Sequence, residues 1–405
     1  MERRGAGYAI KNKEFSSILK IGGTSVSTRL ECGGRGDRLA KAYCCAIGEA
    51  VERYALSIGA GSALSKGRVR DFAGSGPQLD EITFFLDTQY ETESFPFRKP
   101  EAEDVFEWVP GRDFATGEVS YMPASLVFMP YQRKGAEPAL TYQISPGTSC
   151  HVSWECAVFH AICELLERDA FTLFWEAGCP GSRISVHQEL IALEFKSIEF
   201  SELIHLDITT DIGLPVALTI LRWDEGDRHG LTYGMASKPY LKEANLTATR
   251  EALTSWVSAK MLSMPEGIDQ DRLFELLETD PDYKWHMLWS AMGFATCDMD
   301  TLVSESTHDD VSRVHKEPPR TLDALRKRIA ELGHKIVIFD ITPPDVRELG
   351  FFVARAVSTT LLRPSLGRFG RHLFNDRLVL APLAMGRDAK YSTLEDIHEH
   401  YRPEP

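Results

Sequence analysis

The phrase A-I-x-E-x-x-E-R-x-A occurs twice in this chain. It runs first through Ala46, Ile47, Glu49, Glu52, Arg53 and Ala55. It returns 115 positions later through Ala161, Ile162, Glu164, Glu167, Arg168 and Ala170. Residues three and four apart share a helix face, so Glu49, Glu52 and Arg53 stand together, as do Glu164, Glu167 and Arg168. Two such faces side by side offer four carboxylates and two guanidiniums. Clustered carboxylates cannot all stay ionised without cations, and Mg2+ takes oxygen ligands and bridges to nucleotide phosphates. A lone E-x-x-E-R is ordinarily a solvated face with an i,i+4 ion pair worth about 0.2–0.5 kcal/mol. Here the pattern is duplicated, and each copy sits in apolar sequence: Ala46, Ile47, Val51 and Tyr54 in one, Ile162, Leu166, Phe171 and Phe174 in the other. That predicts largely buried helices whose charges need partners.

The elements that must position these residues follow from periodicity and punctuation. A helix is expected over 38–57, stopped by Gly59 and Gly61, and a second over 153–175. The second follows the turn-rich Ser145-Pro146-Gly147-Thr148-Ser149, with Ser149 or Ser153 as its cap. A third, over 242–261, carries Arg250 and Glu251. The Gly- and Ser-rich stretch 59–76 reads as a loop within a loop-rich insertion over 59–100, and strands are expected on either side of Thr116-Gly117. A further echo lies in Asp207-Ile208-Thr209 and Asp340-Ile341-Thr342, each between two apolar runs. The expected class is α/β, a core of related βα halves with two long Glu-bearing helices around a nucleotide site. It forms a single catalytic domain over 1–405 with an N-terminal extension over 1–21.

Gly33-Gly34-Arg35-Gly36 precedes the first helix, where glycines let backbone N–H groups and Arg35 approach an anion. Walker A, Rossmann, H-E-x-x-H and G-x-S-x-G patterns are absent, so a nucleotide must be held by carboxylate-bound Mg2+ and arginines. The 405 residues carry a net charge of −14, which argues against a nucleic-acid partner. Eight cysteines without a C-x-x-C pair fit free thiols in a reducing cytoplasm, several of them in helical apolar stretches and packed as small hydrophobes. No signal peptide and no run of 18 apolar residues is present, which predicts a cytoplasmic protein with no membrane contact. The ending Tyr401-Arg402-Pro403-Glu404-Pro405 alternates proline, so a stiff tail can present a terminal carboxylate at low entropic cost.

Together these features resemble the YcaO family of ATP-dependent peptide-backbone-modifying enzymes. The first family signature is matched by Gly34-Arg35-Gly36 and then by Cys45-Ala46-Ile47-Gly48-Glu49-Ala50-Val51-Glu52-Arg53. Trp108-Val109, Thr116-Gly117 and Met122-Pro123-Ala124 match a second segment, and Glu164-Leu165-Leu166-Glu167-Arg168-Asp169-Ala170 matches the next signature in full. Ala248-Thr249-Arg250-Glu251-Ala252 and the proline-ending tail are similar to the remaining two. The resemblance implies that Glu49, Glu52, Glu164 and Glu167 hold Mg2+. It implies that Arg35, Arg53, Ser149, Glu155, Arg168 and Glu251 contact ATP, and that Pro405 acts in catalysis.

The activity so implied is ATP-dependent cyclodehydration of a ribosomal precursor peptide to thiazoline or oxazoline rings. Thioamide formation is the alternative within the family, and a non-catalytic, nucleotide-binding accessory subunit is the alternative of another class. The resemblance covers nearly the whole chain, so a separate leader-peptide-binding partner protein is expected. A dehydrogenase partner and a homo-oligomer complete the expected associations.

Overall fold

The apolar, Ala-rich signatures form helices close to the expected limits. The computed structural model of the chain describes residues 2–4, 7–11, 15–21, 24–30, 33–34, 39–58, 64–93, 95–185, 202–224, 229–280, 283–306, 317–365, 367–387 and 390–399. Helix α1 spans Leu39–Ile58, α2 Trp154–Trp175 and α3 Leu241–Ala259. Ser153 caps α2, its hydroxyl accepting from the Cys156 N–H at 3.4 Å. Ser149 does not cap; it lies in a strand.

Before α1, β1 (Glu2–Arg4), β2 (Gly7–Lys11) and β5 (Gly33–Gly34) form one small sheet, while β3 (Phe15–Ile21) and β4 (Thr24–Leu30) form a hairpin. A larger sheet follows the order β6 (Ser65–Arg68), β7 (Val105–Asp113), β14 (Ile336–Asp340), β15 (Phe352–Ser358), β9 (Thr148–His151), and β8 (Val119–Pro123) also pairs with β7. The second large sheet runs β10 (Ser182–Arg183), β11 (Glu202–Asp207), β12 (Val216–Asp224), β13 (His229–Ser237). The class is mixed α/β, with the strand pairs among the described residues antiparallel.

Helix α2 is the shared element of the two sheets. Its Ala157, Ala161 and Ile162 pack with Ile336, Ile338, Ala354 and Ala356 of β14 and β15. Further along the helix its Phe171, Phe174 and Trp175 pack with Leu206, Leu218 and Leu231 of β11, β12 and β13. Burial of each such large side chain stabilises by about 1.5–3 kcal/mol, so α2 is pinned from both sides. Asp169, fully buried on this helix, accepts from Arg377 at 2.7 Å through both oxygens, and Arg377 also reaches Asp211 at 2.7 Å.

The Asp-Ile-Thr echo is a repeated structure. The Thr209 N–H donates to Asp207 at 2.8 Å, and the Thr209 hydroxyl accepts from the Val216 N–H at 3.0 Å. The Thr342 N–H donates to Asp340 at 3.1 Å, and the Thr342 hydroxyl accepts from Val353 at 2.8 Å. Each copy turns the end of one strand into the next strand of its own sheet.

Three expectations are corrected. The described part of the loop expected over 59–76 holds strand β6 and a short 3-10 turn at Val69–Phe72, because Ser65–Arg68 pairs with Val105–Trp108. Helix α1 is less buried than its apolarity suggests: Tyr43 and Ile47 are exposed, and its buried residues include Ala42, Ala46 and Ala55. Among the described cysteines only Cys163 and Cys179 are buried like small hydrophobes, while Cys44, Cys45, Cys156 and Cys297 are exposed.

Candidate active site

Four carboxylates from three helices are fastened to backbone amides of two strands. In β9 and the turn before it, Cys150 N–H donates to Glu52 at 2.7 Å, and Gly147 and Thr148 N–H groups donate to Glu164 at 2.8 and 3.3 Å. In β13, Ser237 N–H donates to Glu167 at 3.3 Å and Met235 N–H to Glu251 at 3.4 Å. One edge strand therefore joins the two Glu-bearing signatures, and another joins the second signature to α3.

Two glycines make these approaches possible. Gly147 has φ +93°, and a Cβ there would lie 2.5 Å from the Ala356 carbonyl oxygen. Only a glycine adopts that turn and still delivers its N–H to Glu164. At Gly234 a Cβ would meet the backbone of Ala248 and Ala252 at 2.3 and 2.4 Å, so glycine lets α3 lie directly on β13 and bring Glu251 to the group.

The electrostatics follow from this crowding. Burial, then the neighbouring Glu164 and Glu49, push the Glu52 carboxyl up to about 8, against the pull of the Cys150 amide. Burial also pushes Glu167 up to about 8, with Glu251 and Glu164 adding to it and Arg168 opposing. Glu164 is raised by burial as well, opposed by Arg168 and the Gly147 amide. Arg168 stands 3.4 Å from Glu167, and burial works against its charge while Glu167, Glu164 and Glu251 hold the proton on. Arg53 instead pairs with Glu49 at 3.2 Å, the i,i+4 contact the spacing predicts.

Such a set wants cations. Among the described residues no three His, Cys, Asp or Glu side chains close on one point as a ready-made metal cage. Each carboxylate is instead held by a backbone donor. Mg2+ needs only one or two protein carboxylates when phosphate and water oxygens supply the rest, so a row of half-buried glutamates fits it.

Of the residues singled out in the sequence, Glu52, Glu164, Glu167, Arg168 and Glu251 come together, with Glu49 about one turn before Glu52 on α1 and Arg53 paired to Glu49. Ser149 is buried in β9 beside Cys150, opposite Ala354. Glu155 is not brought in. It is exposed in the first turn of α2, accepting from the Ser153 hydroxyl at 2.9 Å, roughly 13 Å along the helix axis from Glu164 at 1.5 Å per residue. Its early position on α2 makes it part of the cap. Arg35 and Pro405 lie outside the described residues. Arg355 was missed. It is buried in β15 and donates to the carbonyls of Ser145 and Pro146, both at 2.6 Å, and of Ile144 at 2.8 Å, which shapes the turn that offers Gly147 to Glu164. Its only trace in the sequence is one cation inside the apolar run Phe352–Ser358.

The sequence model of the YcaO cyclodehydratases, ATP- and Mg2+-binding, matches residues 33–362. The chain belongs to the YcaO family. Membership carries the cofactors, ATP and Mg2+, and makes the protein an enzyme family member of the cyclodehydratase type. Comparison with curated protein sequences finds no match. Solved YcaO-type structures share the fold. A heterocyclase in complex with substrate and cofactor aligns at TM-score 0.71 and 17% identity over 92% of this chain and 50% of its own. The heterocyclase TruD aligns at 0.66 and 18%, over 90% and 51%. The chain thus spans about half the length of these two heterocyclases. YcaO from Methanopyrus kandleri, bound with AMPPCP and Mg2+, aligns at 0.54 and 21% over 87% and 86% of the two chains. A chain of the E. coli microcin synthetase McbBCD complex with pro-MccB17 bound aligns at 0.58 and 17%, over 82% of each. No described helix of this YcaO protein is long and apolar enough to cross a membrane.

Proposed function

We propose that this YcaO protein forms azoline rings in a ribosomal precursor peptide by phosphorylating backbone amide oxygens at the expense of ATP. The observation that carries the reading is the convergence of Glu52, Glu164, Glu167 and Glu251 on the amides of β9 and β13. These carboxylates would hold Mg2+, with Arg53 and Arg168 toward the phosphates and Ser149 beside them. Bound MgATP supplies an electrophilic phosphoryl group and charge neutralisation. A Cys, Ser or Thr side chain of the peptide adds through sulfur or oxygen to the preceding carbonyl carbon and loses its proton. The resulting alkoxide takes the terminal phosphoryl group of ATP as ADP leaves, the C–O bond breaks with loss of phosphate, and the amide nitrogen gives up its proton as the C=N bond forms. The site's part is to fix the reacting groups and to neutralise the charge that develops, the two largest levers for such a transfer.

The peptide is expected to reach the site with a partner that binds its leader, as the likeness to a chain of the McbBCD complex with pro-MccB17 suggests. Homo-oligomer formation, a dehydrogenase partner and a cytoplasmic location belong to the same proposal. The test is Glu164→Gln assayed with a Cys/Ser/Thr-containing precursor and its partner. Peptide-dependent phosphate release and the 18-Da mass loss per ring, the mass of one water, should both vanish while circular dichroism is unchanged. Wild-type turnover in this variant overturns the assignment.

A further inference from the structure

We propose that a hollow at the N-terminal end of α2 docks the precursor peptide by an apolar side chain that lies about three to five residues from the ring-forming one. This deepens the azoline reading and rests on it. The hollow has a volume of about 800 Å³, within the roughly 300–1,000 Å³ typical of ligand sites. It is walled by the β7–β8 hairpin, the first turns of α2, the helix Leu322–Glu331 and β14. None of Glu52, Glu164, Glu167 and Glu251 lines it.

The sequence explains where the hollow opens. Strand β7 pairs with β14 at Arg112 and Asp113, and the same register would set Pro110 opposite Asp340. Proline has no N–H to give, so the ladder ends there. Phe114, Val119, Trp154, Val158, Leu322 and Ile338 supply an apolar lining. The charged groups on the wall are already engaged. Arg112 donates to the Gly117 carbonyl at 3.0 Å and Arg326 to the Phe114 carbonyl at 3.0 Å. Asp113 accepts from the Thr116 N–H at 2.7 Å, and Asp340 from Arg347 at 2.7 Å. Charges of both signs, each with a partner, ask for no counter-ion. What the hollow offers a visitor is apolar area.

The occupant follows from continuity with the carboxylate row, because α2 carries both. Trp154 and Val158 stand ten and six residues before Glu164, roughly 15 and 9 Å along the axis at 1.5 Å per residue. An extended peptide rising about 3.3 Å per residue covers that length in about three to five residues. The turn after β9, whose amides hold Glu52 and Glu164, leads straight to Trp154, and its Val152 is 65% exposed. A peptide whose reacting carbonyl is fixed at the row must rest its neighbouring residues on the surface beside it.

Two substitutions put a carboxylate in the hollow with little risk to the fold. Val119→Asp changes a side chain that is 49% exposed, and Leu322→Asp falls in the first turn of its helix, where an acidic residue is favourable. The probes are short fluorescein-labelled Gly/Ser peptides with one Cys, carrying a Phe about four residues to either side of it, or Ser in its place. Anisotropy is read on the full-length protein with Mg2+ and a non-hydrolysable ATP analogue. The wild-type protein should bind one of the two Phe peptides about tenfold or more tighter than the Ser peptide. Both variants should lose that preference and keep their calorimetric affinity for the analogue. Equal affinity for all three peptides in the wild type, absence of binding included, overturns the docking site; it is the result if a partner protein fills the hollow instead. A preference that survives either substitution overturns it too, as does loss of analogue affinity in both variants. The azoline reading fails on a separate measurement, wild-type turnover in Glu164→Gln, and that result leaves a Phe preference standing.

Discussion

The backbone N–H of Cys150 donates to the Glu52 carboxylate at 2.7 Å, 98 residues away in the chain. Through this bond the edge strand β9 holds helix α1, and through Gly147 and Thr148 it holds Glu164 of α2. Two signatures distant in sequence become one carboxylate row because a single strand end supplies donors to both.

Glu52→Gln and Glu167→Gln should each lower peptide-dependent ATP turnover by about a hundredfold or more, as expected for groups that hold the charge-neutralising ions. Glu155→Ala, at the exposed cap of α2, should leave turnover within about twofold, since surface changes away from the site are small in effect. Steady-state phosphate release on all three separates the row from the cap.

The pH behaviour follows from burial. Glu52 rises from 4.5 to about 8, and Glu167 does the same, so in the metal-free folded protein both retain protons at neutral pH. The folded state then binds more protons than the unfolded one between these values. The stability this contributes is complete below about 4.5 and is lost as pH rises through about 8. Metal-free protein should show a falling melting temperature over that window, and Mg–nucleotide binding near pH 7 should release protons. Calorimetry in two buffers of different ionisation enthalpy measures the release; a value of zero contradicts the assignment of these two groups.

Asp169 lies within the E-x-x-E-R-D signature, yet it faces Arg377 and the Leu362 N–H and not the carboxylate row. Asp169→Ala leaves Arg377 with part of its buried charge unpaired and should cost about 3–5 kcal/mol of stability. Urea unfolding of the variant gives the value directly. A loss below about 1 kcal/mol would show that Arg377 finds compensation from Asp211.

Gly234→Ala should separate α3 from β13, since a Cβ there would sit 2.6 Å from that of Glu251 as well as against backbone. Overpacking of this kind costs about 1–3 kcal/mol. Weakened Mg–nucleotide affinity beyond the stability loss would place Glu251 among the working ligands, and a crystal structure of the variant would show the shift.

The proposed role of Pro405 is tested by extension. Arg371, held by Glu176 at 2.7 Å on the residue after α2, donates to the carbonyls of Ile397 and His398 at 2.9 and 3.2 Å. The segment leading to the tail is thereby fastened beside α2. A tag after Pro405, or deletion of 403–405, should reduce ring formation by about a hundredfold while Mg–nucleotide binding persists. Equal rates would remove Pro405 from the catalytic residues.

The two E-x-x-E-R helices, the third Glu251 helix and the paired Asp-Ile-Thr turns were legible in the sequence because each is a local pattern. Helical spacing decides which side chains share a face, and a Thr two residues beyond an Asp closes the same turn wherever apolar runs flank it. Burial was less legible: α1 and α2 are similarly apolar, yet Ile47 of α1 stays exposed where Ile162 of α2 is fully buried. Which backbone amides meet which carboxylates was decided only in three dimensions. Cys150, Ser237 and Met235 carry nothing in their side chains that marks them as donors to glutamates, since every residue but proline has the same N–H. The same holds for Arg355. A lone arginine in an apolar run gives no sign of its partners, and only the packing of β15 against the 144–148 turn gave it the carbonyls it holds.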